Sequence, residues 1–457
     1  MDELIYKPAT MLANTIRRKE VSSVEVVEAY LQRIEAVNPK LNAVVQLSVD
    51  TARTQAQQAD AALARGEIKG PLHGVPMTIK DSLDTAGVIS TGGTKGRASF
   101  VPTEDATVVA RLRAAGAILL GKTNTPEFIL SFETNNLIYG RTSNPYDLSR
   151  TSGGSSGGAA AIIAAGGSPF DIGSDYGGSI RLPSHCCGIA GIKPTAGRVP
   201  RTGHIFPFGG ILDSFQQLGP MARAVDDLKL LLPLIAGPDW IDPAIVPMPL
   251  GNPDAVQLKP LRVAFHTDNG VLTPTPETAS VIRKAATILA DEGMLVEEAR
   301  PNGIEESYET VRALWGADGR ASVRRLLQAA GTTEHSFPWL SAAQAVSADQ
   351  LDALIVKWYR IRSTMLSFFR DYDVILCPAN AYPALPHESM DEDLQAFSYT
   401  MTYNLTGWPG AVVRGGTSPE GLPIGVQIVA QPWREDVALA VAEYLENALG
   451  GWQRPPL

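Results

Sequence analysis

The sequence predicts an α/β fold, and three observations support that prediction. Segments whose apolar residues recur with helical spacing alternate with short apolar segments that have the length of buried strands. Of the 457 residues, 44% are hydrophobic and 19% are charged, as in an ordinary soluble protein. No stretch of biased composition indicates disorder, so most of the chain is expected to fold, as one large domain or two.

The first predicted element is an amphipathic helix that begins at a capping box. Ser22 and Glu25 have the spacing at which each side chain accepts a hydrogen bond from the other's backbone N–H. Apolar residues follow helical spacing over 24–37, and Asn38-Pro39 is expected to end the helix.

The remaining elements alternate in type. In order, the sequence predicts a helix at 51–64, a strand at 75–80, a helix at 105–115, strands at 117–120 and 170–173 with a small-residue helix at 159–165 between them, a strand at 261–265, helices within 305–369, strands at 374–378 and 422–429, and a closing helix at 436–449. Residues 238–260 are rich in proline and are predicted to be a connection.

Charge and cysteine content indicate the class of partner. The net charge of −9, without a Lys/Arg-rich block, argues against nucleic acid or an anionic membrane and favours a small-molecule substrate.

No apolar stretch reaches the length of a membrane span and no signal peptide is evident, so a cytoplasmic location is expected. Cys186, Cys187 and Cys377 lie in apolar contexts and are predicted to be buried thiols.

Two serines in glycine-rich loops and one lysine form the most informative pattern. Ser155 lies in GGSSGG, Ser179 lies in GSDYGGSIR, and Lys80 ends the apolar strand at 75–80. A serine hydroxyl needs a base to become a nucleophile, and burial favours the neutral form of a lysine that serves as that base. A bridging Ser155 would carry the proton from Ser179 to Lys80 and return it to the leaving amine.

The glycines before Ser179 predict an oxyanion hole. The backbone N–H groups of Tyr176, Gly177, Gly178 and Ser179 are expected to donate to one oxygen of a tetrahedral intermediate. Each loop taken singly is also compatible with an ordinary tight turn, since glycine and serine are common turn formers. Together with Lys80, the two loops predict a hydrolase that requires no histidine and no metal.

Five further stretches extend this pattern along the chain. They are LHGVP at 72–76, GKTN at 121–124, RTSNP at 141–145, the segment 151–195 ending in GIKPT, and GLPIG at 421–425. On these residues the chain resembles the amidase signature family over nearly its whole length. In one departure, Thr151-Ser152 precede the first glycines where the family often has proline second, and no effect on the chemistry is expected.

The resemblance implies both a site and an architecture. Ser179 would be the acylated nucleophile, Ser155 the bridging serine in a cis peptide bond with Gly154, and Lys80 the general base. The fold implied is one domain over 1–457, with helices on both faces of a twisted mixed sheet. Its signature core would lie at about 60–215, and a variable helical substrate-specificity region at about 305–370.

Two short motifs point elsewhere but lack their context. Residues 116–123 match the phosphate-loop pattern GxxxxGK[ST], yet the four intervening residues are apolar and have the character of a strand. Residues 153–157 match the GxSxG elbow, which would make Ser155 a nucleophile served by Asp373 and His387. That motif requires an apolar strand before the serine, and the preceding segment is polar.

Neighbouring residues receive supporting roles. Arg181 is expected to pair with Asp175 and brace the nucleophile loop, rather than bind a substrate carboxylate, because an unpaired buried charge is costly. Asp81 is assigned to bracing, and Thr123 and Asn124 are candidates for positions behind the triad.

The candidate substrate-binding residues are Phe128, Thr134, Ile205 and Phe206. The stretches 128–132, 205–208 and 312–359 are apolar and rich in aromatic residues, and they favour a hydrophobic or aryl-bearing substrate. His204 is expected to be structural, although it would also suit a pocket wall. Core packing is expected for Trp315, Trp339 and Trp358, with a wall around an aromatic leaving group as the alternative.

The predicted function is hydrolysis of amide C–N bonds, and of aryl esters and carbamates by the same chemistry, without a cofactor. The six histidines lack metal-ligand spacing, and no metal is expected.

One alternative is the A subunit of a tRNA-dependent amidotransferase, which works only with partner chains. Another is a non-catalytic scaffold, which the intact triad disfavours. A monomer or homodimer is expected.

Overall fold

Helices and strands alternate over residues 2–389 and 393–457, the part of the chain that the computed structural model describes. The strands are β1 (Val44–Leu47), β2 (Pro76–Lys80), β3 (Ile118–Thr123), β4 (Asn135–Asn136), β5 (Gly140–Arg141), β6 (Phe170–Asp175), β7 (Ala190–Lys193), β8 (Gln217–Ala222), β9 (Arg262–Phe265), β10 (Leu295–Glu298), β11 (Val374–Pro378), β12 (Gly410–Thr417) and β13 (Pro423–Ala430). The α-helices are α1 (Asp2–Ile5), α2 (Ala9–Arg17), α3 (Ser23–Leu41), α4 (Val49–Ala64), α5 (Thr107–Ala114), α6 (Gly157–Ala164), α7 (Arg181–Cys187), α8 (Gly210–Ser214), α9 (Val225–Ile235), α10 (Pro276–Glu292), α11 (Ser307–Gly316), α12 (Ala321–Ala330), α13 (Ala348–Leu366), α14 (Ser398–Thr406) and α15 (Glu435–Leu449).

Eight strands form a mixed sheet in the order β10-β9-β11-β13-β12-β7-β8-β6. β10, β9 and β11 run parallel, and the other neighbouring pairs are antiparallel. All residues of β11 and β13 are buried, because helices such as α7, α10 and α15 pack against this part of the sheet. The predicted α/β domain with a large mixed sheet between helices is therefore confirmed.

The strand that carries Lys80 belongs to a second, smaller sheet. β2 is an edge strand of a three-stranded sheet with the order β1-β3-β2. It packs against β6, the strand that leads into the Ser179 loop, and all five of its residues are buried. A buried strand is recognisable from its apolar residues, but those residues do not determine which sheet it joins.

One predicted helix boundary is wrong. The capping box of α3 forms as predicted, with Ser22 Oγ accepting the Glu25 N–H at 3.1 Å. The helix then continues through Pro39 to Leu41 instead of ending at Asn38-Pro39. A proline this close to the end removes a single intrahelical hydrogen bond, and the helix stops where Asn42 adopts a left-handed conformation with φ 51°.

The phosphate-loop match lies inside a strand. β3 reaches Thr123, three residues beyond the predicted end at Leu120, and so includes Lys122. The Lys122 ammonium is fully buried and donates to Leu83 O, Thr85 Oγ1 and Ser90 Oγ. The residues that match the motif thus form no exposed loop of backbone N–H groups, which a phosphate would need.

Candidate active site

Lys80 lies at the centre of a cluster of serine hydroxyls. Its Nζ is 2.7 Å from Ser155 Oγ, 2.8 Å from Ser156 Oγ and 2.9 Å from Ser174 Oγ. The lysine is completely buried. The structure brings Lys80 and Ser155 together as the sequence predicts, and it adds two hydroxyls to which the sequence analysis gave no role.

The environment of Lys80 suits a neutral amine. Burial holds the pKa of Lys80 well below its ordinary value, although the nearby charges of Asp171 and Asp175 act in the opposite direction. Its hydrogen-bond partners are neutral hydroxyls, not carboxylates. A neutral amine has a lone pair that accepts a proton, so Lys80 has the properties of a general base.

Ser179 lies in the loop after β6, close to the loop of Ser155. Its side chain is almost fully buried, and its carbonyl oxygen accepts the Ser156 N–H at 3.2 Å. Within the described residues, Ser155 Oγ is hydrogen bonded to Lys80 but not to Ser179 Oγ. The Gly154–Ser155 peptide bond is cis, as the resemblance leads us to expect.

The predicted oxyanion hole requires one correction. The Gly178 N–H donates to Asp175 Oδ1 at 2.8 Å, so a carboxylate already occupies it. The N–H groups of Tyr176, Gly177 and Ser179 have no acceptor within the described residues. Buried N–H groups without an acceptor are rare in folded proteins, and these three remain candidates for binding an oxyanion.

The Asp175–Arg181 pair braces this loop, as predicted. Arg181 donates to Asp175 through Nε at 3.0 Å and Nη2 at 2.9 Å, and both side chains are fully buried. Asn404 and Gln427 accept the remaining Arg181 hydrogen bonds at 2.6 and 2.7 Å. Burial raises the pKa of Asp175, but the charge and hydrogen bonds of Arg181, the Lys193 charge and the Asn404 hydrogen bond together outweigh it and hold that pKa at about 2. Asp175 is therefore a carboxylate at neutral pH.

Two glycines of the nucleophile loop lie too close to neighbours to carry a side chain. A Cβ on Gly178, whose φ is 135°, would lie 2.2 Å from Thr400 Oγ1. A Cβ on Gly177 would lie 2.8 Å from Cη2 of Trp315. Thr400 also donates to the Gly177 carbonyl at 2.8 Å. These contacts fix the backbone whose N–H groups would form the oxyanion hole.

Thr134 contacts the Ser155 loop, which corrects its prediction as a substrate-binding residue. It is fully buried, donates to the Gly153 carbonyl at 2.9 Å and accepts the Gly157 N–H at 3.0 Å. Its one O–H donor is thus used by backbone and is not available to a substrate. Thr134 holds the loop on both sides of Ser155.

Replacing Thr134 with valine is expected to destabilise the protein by about 2–4 kcal/mol, because it leaves a buried C=O and a buried N–H unpaired. The urea midpoint measures this loss. Thr54→Val is the matched control, since its hydroxyl only bonds the Asp50 carbonyl on the exposed face of α4. Equal midpoints for the two variants would contradict the bracing role of Thr134.

An aromatic cluster covers the nucleophile loop. The Tyr176 ring stacks on Trp315 with centroids 4.7 Å apart, and it meets the edges of Phe206 and Phe215. Trp358 packs against Phe215, with ring centroids 5.0 Å apart. Of the tryptophans, Trp315 therefore adjoins the site, Trp358 lies behind it, and Trp339 is partly exposed.

The predicted pocket residues Phe128, Ile205 and Phe206 do not all line the same cavity. Phe128 and Ile205 line a cavity of about 240 Å³ together with Phe100 and Leu326. Phe206 is buried and does not line that cavity. His204 is buried and packs edge-on to Phe206, and burial keeps its pKa well below the ordinary value. His204 is therefore neutral.

Thr123, Asp81 and Asn124, the residues expected to support the triad, form hydrogen bonds with neighbouring residues. Thr123 Oγ1 donates at 3.0 Å to Asp171, one of the two carboxylates that act on Lys80. Asp81 accepts the Thr91 N–H and hydroxyl. Asn124 donates to Gly140 O and Thr142 Oγ1 at 3.0 Å.

No described helix is both long and apolar enough to cross a membrane. Across residues 2–389 and 393–457, no three metal-ligating side chains group together.

Comparison with known proteins gives the family. A family model described as Amidase matches residues 25–439. The A subunit of the glutamyl-tRNA(Gln) amidotransferase from Heliobacterium modesticaldum is 35% identical, over 99% of each chain. Fatty-acid amide hydrolase 2-B of Danio rerio is 37% identical over 99% of this chain and 91% of its own length. The solved structure of 6-aminohexanoate cyclic dimer hydrolase complexed with substrate matches with a TM-score of 0.89 at 29% identity, over 99% of both chains. This chain belongs to the amidase signature family.

Proposed function

We propose that the protein hydrolyses amides through an acyl-enzyme on Ser179, with Ser155 as the proton bridge and Lys80 as the general base. The observation that carries the proposal is the completely buried Lys80 amine, 2.7 Å from Ser155 Oγ, whose hydrogen bonds within the described residues all go to serine hydroxyls. Histidine takes no part in this arrangement.

The proposed reaction begins when Ser179 Oγ attacks the amide carbonyl carbon. The Ser179 proton passes to Ser155 Oγ as the Ser155 proton passes to neutral Lys80 Nζ. This transfer requires Ser179 Oγ to come within hydrogen-bond distance of Ser155 Oγ when substrate binds. The N–H groups of Tyr176, Gly177 and Ser179 would stabilise the negative oxygen of the tetrahedral intermediate.

The intermediate then collapses to an ester on Ser179. The C–N bond breaks, and the leaving nitrogen takes the proton that Lys80 returns through Ser155. A water molecule attacks the ester and gives its proton to the same relay. The ester C–O bond then breaks, the relay returns the proton to Ser179 Oγ, and the carboxylic acid is released. The proton count is unchanged at the end of the cycle, and no cofactor enters it.

The aromatic surroundings support a hydrophobic or aryl-bearing small molecule as the substrate. Trp315 and Tyr176 lie beside the nucleophile loop, and Phe128 and Ile205 line the neighbouring cavity. Aryl esters and carbamates would form the same type of intermediate. In this proposal the core at about 60–215 supplies the triad, and the helices at about 305–370 supply part of the pocket wall. The protein acts in the cytoplasm as a monomer or homodimer.

A second candidate is the A subunit of a tRNA-dependent amidotransferase. It is favoured by the 35% identity to such a protein over nearly the whole chain. The two candidates differ in their need for partners, because a free-standing hydrolase turns over simple amides alone. The purified chain is therefore assayed with an aryl anilide, a primary aliphatic amide, an aryl ester and an aryl carbamate.

Covalent labelling tests the nucleophile directly. A fluorophosphonate is expected to add one equivalent to the wild-type protein and none to Ser179→Ala, and fragmentation of the tryptic peptide 151–181, which contains both Ser155 and Ser179, is expected to locate the label on Ser179. Ser214→Ala, on the exposed helix α8, controls for general effects of serine removal and should label fully. Label on Ser155 instead of Ser179 would overturn the assignment. Labelling of Ser179 without turnover of the panel would favour the amidotransferase component.

A further inference from the structure

Hydrogen-bond donors without acceptors gather beside the nucleophile loop. The Tyr176 hydroxyl and Trp315 Nε1 are buried and have no partner within the described residues. The two rings stack with an interplanar angle of 17°, so both polar groups belong to the same cluster. Burial raises the pKa of the Tyr176 hydroxyl well above its ordinary value, against the opposing charge of Arg320, and the group keeps its proton.

Arg320 adds a cation to this cluster. It lies in the turn between α11 and α12, where its Nη1 donates to the Trp315 carbonyl at 2.9 Å. Its guanidinium lies 4.9 Å above the Trp339 ring and is half-buried. Burial lowers the pKa of Arg320, because the charge is partly removed from water.

Arg320 forms no ion pair within the described residues, which is also true of the buried Arg223 and Arg414 but not of three other buried arginines. Arg181, Arg198 and Arg201 each form an ion pair at 2.9 Å or less. Within the described residues Arg320 forms none, and a single side-chain hydrogen bond uses only one of its N–H groups. The charge of the nearby Asp318 acts on Arg320 without an ion pair, and the two Asp318 oxygens accept the backbone N–H groups of Arg320 and Ser322.

The cluster therefore contains hydrogen-bond donors that have no acceptor within the described residues. A guanidinium and an indole N–H can only donate, and the protonated Tyr176 hydroxyl has no acceptor for its proton within the described part of the chain. An anionic oxygen would satisfy such donors, whereas an ammonium group would be repelled. A carboxylate is the common anion on small organic amides, and a planar guanidinium fork suits it.

We propose that Arg320, with the Tyr176 hydroxyl and the Trp315 N–H, binds a carboxylate of the substrate. The inference rests on the proposed function of the Ser179 site and specifies its substrate class as aryl amides that also carry a carboxylate. The carboxylate would be held by side chains and not by the backbone N–H groups proposed for the oxyanion, so it belongs to a part of the substrate other than the scissile carbonyl. Arg320 is thus a residue that determines specificity.

Two matched substrate pairs test the role of charge and its place in the substrate. 4-Acetamidobenzoate and 4-methylacetanilide differ in a carboxylate on the amine portion. Succinanilate and 4-methylpentananilide differ in a carboxylate on the acyl portion. In at least one pair, wild-type protein is expected to favour the anionic member by about 10- to 100-fold in kcat/KM, the range for a charged hydrogen bond.

Arg320→Gln is expected to abolish that preference, so that the anionic and neutral members of each pair have similar kcat/KM. Arg325→Gln is the matched control, because it removes the same charge from an exposed position on α12. Equal rates for anionic and neutral members in wild-type protein would overturn the proposal. So would a preference that survives in Arg320→Gln, or one that Arg325→Gln reduces equally.

Calorimetry separates this inference from the proposed function. The same pairs are titrated into Ser179→Ala protein with and without Arg320→Gln, so that binding is measured without turnover. Tighter binding of the anionic member that requires Arg320 supports the carboxylate site even if no amide is hydrolysed. Equal binding of both members would refute the carboxylate site even if hydrolysis is observed.

Discussion

Lys80→Met is expected to lower kcat/KM for any amide substrate by at least about 10⁴-fold, because the reaction loses its general base and the proton relay ends at Ser155. Methionine has a similar length and no amine, so the packing around β2 changes little. The substrate panel measures the loss, and an added alkylamine that restores part of the rate would confirm that the missing group is a base.

The pH dependence gives this prediction a second readout. Wild-type activity is expected to rise with pH through the pKa of Lys80, and that limb lies below pH 10.5 because burial lowers the pKa. Between the folded pKa and about 10.5, the unfolded chain binds a proton that the folded chain does not. Folding stability should therefore rise with pH in this window, and Lys80→Met should remove that contribution.

Lys122→Met is the control for the loss of a buried lysine. Lys122 is as buried as Lys80, and burial lowers its pKa to about 8, but none of its hydrogen bonds reaches a serine of the two glycine-rich loops. It should lose stability while turnover per folded molecule stays far above that of Lys80→Met. Similar losses of turnover in both variants would mean that Lys80 acts through packing and not as a base.

The sequence predicted the parts of the site that lie within short motifs. Lys80, Ser155 and Ser179 were identified because strand ends and glycine-rich loops have local patterns, and the Asp175–Arg181 pair spans only six residues. Ser156 and Ser174 lie within the same two glycine-rich motifs, but the pattern of each motif assigned a role only to Ser155 or Ser179. Their contact with Lys80 depends on how β2 packs against β6, which no local pattern determines.

Residues that join the site from distant segments could not be predicted. Thr400 and Asn404 lie on α14, more than 200 positions after the loop that they contact. Nothing in the sequence around α14 indicates that its polar side chains face the nucleophile loop. The same applies to the Gly178 N–H, because its bond to Asp175 depends on a turn conformation with φ 135°. Such pairings are properties of the fold.

The brace behind the oxyanion hole illustrates how much of the site depends on these long-range contacts. Asp175 accepts the N–H groups of Gly178 and Ile180, while Asn404 donates to it at 2.9 Å. Arg181 completes the network from the start of α7. One buried carboxylate therefore orients the loop that carries both Ser179 and the N–H groups proposed to bind the oxyanion.

Arg181→Met is expected to destabilise the protein by about 3–5 kcal/mol, because it leaves Asp175 as a buried charge without its countercharge. Asp175→Asn combined with Arg181→Met should recover part of this loss, since no charge then remains. Urea unfolding measures both variants. Arg262→Met, which breaks the more exposed pair with Asp373, is the control and should cost much less.

The effect of pH on the Arg181→Met variant should have the opposite sign to that on the wild type. In wild-type protein the pKa of Asp175 is about 2, below its ordinary 3.8, so its stabilising contribution is lost as pH falls from about 4 towards 2. Without Arg181, burial would raise that pKa above 3.8, and protonation would relieve the cost of the charge as pH falls. The stability difference between the two proteins should thus shrink in acid. A difference that stays constant from pH 7 to pH 4 would show that Arg181 stabilises the loop by packing and not through its charge.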